Sequence, residues 1–163
     1  VLINYINHKD LILAEYDSKI ILCDWLSKDD RKSTNQKLET LYSTSFSNNE
    51  TAPLAKLKDQ LDEYHAGERT SFNIETSQNG TELQKEVWEQ LKLLPHGQTI
   101  SYSDLAEKTS KPKAIRAVAS AVGKNLISIV VPCHRVIRSS GDLGGYAGGL
   151  TNKEKLLKLE RQS

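Results

Sequence analysis

Cys133 stands between Pro132 and His134, at the end of the apolar, β-branched lead-in Ile129-Val130-Val131. A thiol beside an imidazole is the minimum equipment for nucleophilic chemistry at sulfur, with the imidazole as base. The pair alone is a weak sign, because neighbouring side chains often point apart, but its surroundings sharpen it. Pro132 removes a backbone donor and fixes the entry angle of the chain. Beyond Arg135-Val136-Ile137-Arg138, the run from Ser139 to Leu150 holds five glycines, which permit positive φ and close backbone approach around a pocket. The other cysteine, Cys23, lies in Ile20-Ile21-Leu22-Cys23-Asp24-Trp25 and reads as a small inert core residue. Two cysteines so far apart form neither a redox motif nor a disulfide scaffold, and His8, His65, His96 and His134 show no paired spacing, so no metal site is expected.

Such a thiol needs a scaffold. The chain has 163 residues, 37% hydrophobic and 26% charged, enough for one ordinary domain or two small ones. That composition excludes disorder, collagen and coiled coil, and the length excludes a barrel enzyme carrying a cofactor domain. The longest apolar stretch, Leu126 to Val131, is broken by Ser128 and falls far short of the roughly 18 residues that cross a bilayer. No secretory leader is expected before Val1, and free thiols suit a reducing compartment, so the expected location is the cytoplasm, or the nucleus in a eukaryotic source.

Leu2 to Tyr5, Leu11 to Tyr16 and Ile20 to Trp25 are short β-favouring segments, the last two joined by Tyr16-Asp17-Ser18-Lys19, and they predict a small antiparallel sheet. Ser27 to Thr51 is polar and weakly patterned, which predicts loops with a short helix. After Pro53, Leu54, Leu57, Leu61 and Tyr64 recur at helical intervals and Gly67 stops the helix; Thr70 to Ile74 reads as a further strand. The polar stretch Glu75 to Gly80 separates an N-terminal subdomain, residues 1–80, from a mostly helical one, residues 81–163, so the fold class is α+β.

In the second part Leu83, Val87, Leu91 and Leu94 mark a helix from Thr81 to Leu94. Ser101 to Lys108 and Lys113 to Val122 follow, spaced as in a helix-turn-helix, whose second helix enters a groove of duplex DNA; a packed helical hairpin has the same spacing. Ala114, Ala117, Ala119, Ser120 and Ala121 line the second helix, allowing close approach to a backbone but offering few forks to read base edges. A last helix begins with the capping-box pattern Thr151-x-x-Glu154 and carries Leu156, Leu157 and Leu159, placing Glu160 at the negative end of its dipole. A carboxylate there costs about 0.3 to 1 kcal/mol unless a donor such as an imidazole compensates it; solvent exposure is the plain alternative.

Charge divides the same way. Residues 1–81 carry 9 Lys and Arg against 13 Asp and Glu, whereas residues 82–163 carry 13 against 8. Lys108, Lys111, Lys113, Arg116, Lys124, Arg135 and Arg138 occupy a window with no acidic residue. A polyanion partner is one reading and a solvated basic face the other.

From about Thr81 to Glu160, and most specifically in Pro132-Cys133-His134-Arg135-Val136, the chain resembles the O6-alkylguanine-DNA alkyltransferases, the methylated-DNA–protein-cysteine methyltransferase family. Residues 1–80 resemble that family's ribonuclease H-like N-terminal subdomain in length and strand-first order. The resemblance implies DNA repair by direct damage reversal: single-turnover transfer of a methyl or other alkyl group from O6-alkylguanine in duplex DNA to Cys133 after nucleotide flipping, with O4-alkylthymine an open question. It implies that His134 is the base, acting through a bound water, and that Glu160 orients it. Tyr102 turns the phosphate and donates a proton toward guanine, and Asn125 braces the turn from the recognition helix to the active-site strand. DNA contacts are implied for Arg116, which fills the gap left by the rotated nucleotide, and for Tyr102, Ala117, Ala119, Ser120, Lys124 and Arg135. Val136, Tyr146, Ala147 and Gly148 wall the base pocket, with the carbonyls of Cys133 and Val136 accepting from the guanine amine. The position of Ala147 is often Ser in the family, so here a hydroxyl contact is missing. By the same resemblance the partner is alkylated double-stranded DNA, the protein is a monomer with cooperative binding along DNA left open, and no cofactor takes part.

The chemistry limits what the imidazole can supply. A thiol of pKa about 8.5 is only ~3% ionised at pH 7. Lowering that pKa to about 6 raises the thiolate fraction roughly 30-fold but cuts intrinsic nucleophilicity by about 13-fold. Positioning and protonation of the departing guanine must carry the rest, and effective molarities of about 10⁵ M or more are large enough. Two other classes fit parts of the sequence: a Cys-His hydrolase using Cys133 and His134, and a non-catalytic helix-turn-helix regulator. Arg116 as an ordinary phosphate contact is the plain reading of that residue.

Overall fold

Asp17 and Ser18 both take positive φ, 51° and 69°, the two-residue hairpin geometry that matches the twist of the strands it joins. It links β2 (Leu11–Tyr16) to β3 (Lys19–Trp25), and β1 (Ile3–His8) pairs antiparallel with β2. A fourth strand, β4 (Phe46–Asn48), lies parallel to β1, giving the order β3-β2-β1-β4. The sheet is therefore mixed, not purely antiparallel as predicted; three residues paired to a strand remote in sequence leave no local pattern to read. The helix α2 (Ala52–His65) covers the sheet with Leu54, Leu57, Leu61 and Tyr64, all buried.

Of two other expectations for this part, one is met and one fails, each for a physical reason. The short helix predicted among the loops of Ser27 to Thr51 is α1 (Arg31–Tyr42), 12 residues long. It buries only Thr34 and Leu38 and is fastened by Arg31, which donates to the buried Asp24 carboxylate at 2.9 Å, so no apolar stripe announces it. Thr70 to Ile74 is not a strand. The Gln60 side chain takes the place of a ladder there, accepting from the Asn73 N–H at 3.0 Å and donating to its carbonyl at 3.4 Å. Only Thr76 bridges Ile20.

These elements form one compact unit, Val1–Ser77; a second comprises Gln78–Ser163. The computed structural model describes all of residues 1–163. In the second unit α3 (Glu82–Lys92) starts with a capping box: Thr81 Oγ1 accepts from the Gln84 N–H at 3.1 Å and Gln84 Oε1 from the Thr81 N–H at 3.0 Å. Against it pack α4 (Tyr102–Glu107) and α5 (Ile115–Gly123), and Trp88 Nε1 donates to the Ala121 carbonyl at 2.9 Å. A two-residue parallel pair, β5 (Ile100–Ser101) with β6 (Val136–Ile137), ties the chain before α4 to the chain after Cys133. The last helix, α6 (Leu150–Gln162), starts after Gly149 at φ +92° with no side-chain cap. The capping box predicted at Thr151 does not form, because the helix has already begun at Leu150. No helix is long and apolar enough to cross a membrane.

Candidate active site

The apolar run leading to Cys133 is buried but is not the predicted strand. Val130 N–H donates to the Ser128 carbonyl and Cys133 N–H to the Val131 carbonyl, both at 2.8 Å, so the chain reaches the thiol through successive tight turns. Ile129 sits at φ +71°, a conformation that β-branched residues rarely adopt. Asn125, itself buried, holds this shape. Its Nδ2 donates to the carbonyls of Val131 at 2.9 Å and Ile127 at 3.4 Å, and its Oδ1 accepts from Ile127 N–H at 3.1 Å and Gln78 Nε2 at 2.9 Å. Gln78 Oε1 in turn accepts from Leu126 N–H at 3.0 Å. Side-chain amides thus satisfy backbone groups that a strand would have paired in a ladder.

Cys133 begins a single 3₁₀ turn, Cys133–Arg135, and lines a cavity of about 580 Å³ with Tyr102, Arg116, Ala119, Asn125, Arg138, Tyr146 and Ala147. His134 is fully buried. Its Nε2 lies 2.6 Å from Glu160 Oε2, while Nδ1, also buried, has no protein hydrogen-bond partner. A carboxylate facing Nε2 places the proton of the neutral ring there and leaves Nδ1 as the basic nitrogen. Burial holds the imidazole below its usual pKa, with Glu160 opposing, so the ring is neutral at pH 7.

Glu160 is compensated at the helix end by more than the imidazole. Arg135 Nε donates to Oε1 at 2.8 Å and Nη2 to Oε2 at 3.0 Å, and Nη1 donates to the Leu94 carbonyl at 2.6 Å. This geometry corrects the reading of Arg135 as a DNA contact: it is 6% exposed and its guanidinium is committed to the interior. The exposed cations of the basic window are Lys108, Lys111, Lys113, Arg116, Lys124 and Arg138.

Other residues singled out in the sequence fall at the cavity or beside it. Tyr102 is the first residue of α4 and lines the cavity; burial raises its hydroxyl pKa, Cys133 raises it further and Arg138 opposes, so the phenol stays protonated. Ala119 lines the cavity from α5, whereas Ala117, Ser120 and Lys124 are exposed outside its lining. Tyr146 and Ala147 line it, but Gly148 does not: its carbonyl accepts from Asn152 Nδ2 at 2.7 Å. The Val136 side chain is buried outside the lining, and its carbonyl accepts from Lys153 Nζ at 2.6 Å. Gly144 takes a φ of +73°, where a side chain would be strained, and a Cβ there would make a tight contact of 3.2 Å with Tyr102 Cε2.

Lys153 is the residue that motif reading passes by. It has no exposed surface, and Nζ donates to the carbonyls of Val136, Leu143 and Gly145, clipping the glycine-rich loop to β6. Burial lowers its pKa to about 8, Cys133 opposing and Arg138 adding to the shift. A signal was present: Lys153, Leu156, Leu157 and Glu160 share one helical face, and a buried face carries its polar members inward with its leucines.

Residues 82–162 match the family model for the 6-O-methylguanine DNA methyltransferase, DNA binding domain. The chain is 43% identical over 160 residues to the constitutive methylated-DNA–protein-cysteine methyltransferase of Bacillus subtilis, covering 94% of this chain and 90% of that protein. With the methylated-DNA–protein-cysteine methyltransferase of Mycolicibacterium paratuberculosis it shares 53% identity over 104 residues, 64% of this chain and 63% of the relative, just under two thirds of that protein's length. The crystal structure of Mycobacterium tuberculosis OGT in complex with DNA superposes with a TM-score of 0.82 at 36% identity, covering 99% of this chain and 94% of that one. Identity carried through both units at this level means that the chain belongs to the methylated-DNA–protein-cysteine methyltransferase family.

Proposed function

We propose that this protein repairs DNA by direct damage reversal, moving a methyl or other alkyl group from O6 of guanine in duplex DNA onto the sulfur of Cys133. The observation that carries the reading is the joining, in one short turn, of a cavity-lining thiol to a neutral buried imidazole whose Nε2 is held by Glu160. Nδ1 of His134 takes the thiol proton through a bridging water, the sulfur attacks the alkyl carbon in line, the bond from that carbon to O6 breaks, and Tyr102 protonates the departing guanine. Asn125 is a positioning residue: it fixes the turn that presents the sulfur.

The target atom is inaccessible inside a duplex, so the nucleotide swings out to reach Cys133. Arg116, exposed at the rim of the cavity, fills the emptied stack; Ala117, Ala119 and Ser120 let α5 approach the backbone, and Lys124 meets a phosphate. Residues 81–163 carry this chemistry and residues 1–80 form the accompanying N-terminal subdomain. The thioether product has no route of cleavage in this site, so each monomer acts once, without a cofactor, in the compartment that holds the genome.

Incubation with a duplex containing O6-methylguanine, followed by peptide mass mapping, tests the reading. A gain of one methylene on the Cys133 peptide, stoichiometric with restored guanine, is expected, and Cys133→Ser abolishes it while duplex binding persists. Repaired DNA with unmodified Cys133, or repeated turnover, sinks the reading. The same assay with O4-methylthymine scores that second lesion.

A further inference from the structure

The cavity that holds Cys133 has no acidic residue in its wall and two arginines, Arg116 and Arg138. Arg138 follows β6, on the segment that leaves the Cys133 turn. Its guanidinium has no hydrogen bond or ion pair within the chain; its bonds are backbone ones, N–H to the Asp142 carbonyl and carbonyl to the Gly141 N–H, each 2.9 Å. The side chain nevertheless has a defined place. A Cβ on Gly144 would lie 3.4 Å from Arg138 Cγ and 3.2 Å from Tyr102 Cε2, so both side chains flank the same glycine. Arg138 lowers the pKa of both Tyr102 and Lys153, each of which also responds to Cys133. An unpaired cation therefore stands beside Tyr102 in the wall of the cavity that Cys133 also lines, the cavity a transferred group must enter to meet the sulfur.

A methyl group gains nothing from that charge. A carboxylate on the transferred group does, because thiolate and carboxylate repel as the sulfur approaches, and a guanidinium fork both offsets the repulsion and matches the carboxylate's two oxygens. We propose that Arg138 adapts the cavity to O6-alkylguanines whose transferred group is anionic, a carboxymethyl group being the smallest; this deepens the alkyl-transfer reading and rests on it. In the step, a bond forms from Cys133 sulfur to the methylene carbon and the bond from that carbon to O6 breaks. The electron pair stays on the base, which takes a proton from Tyr102 to become guanine, and solvent reprotonates the tyrosinate. The product is S-carboxymethylcysteine, its carboxylate still facing Arg138.

The competing role is a phosphate contact, which is blind to the adduct. Three duplexes of one sequence, carrying O6-methylguanine, O6-carboxymethylguanine or its uncharged amide O6-carbamoylmethylguanine, separate the two. Single-turnover rate constants are measured for the full chain and for Arg138→Ala, Arg138→Lys and Arg138→Glu. The wild type is expected to prefer the carboxymethyl adduct over the amide. That preference falls about 10- to 100-fold in Arg138→Ala, the scale of one charge-assisted hydrogen bond, falls further in Arg138→Glu and is partly kept in Arg138→Lys. No wild-type preference, or equal slowing of all three adducts, overturns the proposal while methyl transfer to Cys133 still stands. A wild type that transfers no methyl group overturns the underlying reading and this one with it.

Discussion

An ammonium group with no exposed surface, as Lys153 has, persists only where its hydrogen bonds offset the loss of water. Its three carbonyl partners belong to Val136, Leu143 and Gly145, so one side chain fixes the loop that follows the Cys133 turn. Lys153→Met keeps the length and removes charge and donors; a loss of about 2 to 4 kcal/mol in urea unfolding is expected from the carbonyls left without a donor, together with slower alkyl transfer. The pKa of about 8 adds two pH signatures of opposite sign. Transfer slows as pH rises through about 8 and the ammonium beside Cys133 is discharged, a limb absent in Lys153→Met. Stability moves the other way. Because the folded pKa lies below the ordinary 10.5, the unfolded chain binds the proton more tightly between about 8 and 10.5, and the contribution of this group to stability rises with pH across that window. Rate and stability profiles that rise and fall together would rule out this assignment.

At the scale of elements, the segment from α5 to Cys133 depends on Asn125. Apart from a single bridge at Ile127, no ladder pairs Ile127 to Val131, and the positive φ of Ile129 adds a strain of about 1 to 3 kcal/mol that its surroundings must hold. Asn125→Ala orphans the Ile127 N–H and the Val131 carbonyl inside the protein, for an expected loss of about 2 to 4 kcal/mol and a fall in transfer rate. Asn125→Asp keeps the acceptor and loses the donor, and its stability should fall between the two when measured by urea unfolding. The same segment shows what a sequence can and cannot say. The helices α2, α3, α4 and α5 were legible because Leu54-Leu57-Leu61 and Val87-Leu91 repeat at helical intervals, and the hairpin was legible in Asp17-Ser18. The turn before Cys133 was not, since its β-branched residues read as strand and the amide that overrides them depends on Gln78, remote in the chain. Equally hidden was β4, defined only by its partner, whereas α1, held by one arginine, was expected as a short helix whose bounds no apolar stripe marks. The meeting of His134 with Glu160 was anticipated through family resemblance, whereas the Lys153 that shares the Glu160 face stood in plain view and carried no motif to mark it.

For the whole molecule, the net charge of +1 conceals an excess of acid in residues 1–81, 9 basic against 13 acidic, and of base in residues 82–163, 13 against 8. Binding to a duplex should therefore fall steeply with salt, since each neutralised phosphate contributes about −0.9 to the slope of log affinity against log salt concentration. Composition alone counts the basic window as seven cations, but Arg135 is turned inward on Glu160 and Leu94. The exposed ones are Lys108, Lys111, Lys113, Arg116, Lys124 and Arg138, so contacts from this window add no more than about −5 to the slope. Anisotropy titrations of an undamaged duplex over a range of potassium chloride measure it. Lys111→Ala and Lys124→Ala should each flatten the slope by about one if both reach phosphates. Arg135→Gln removes the same charge from the same run, yet should leave the slope where it is and instead lower stability by about 3 to 5 kcal/mol, because Glu160 loses its bidentate partner in the interior. Were Arg135→Gln to flatten the slope as Lys124→Ala does, the guanidinium would face DNA and the ion pair that compensates the end of α6 could not be the one described.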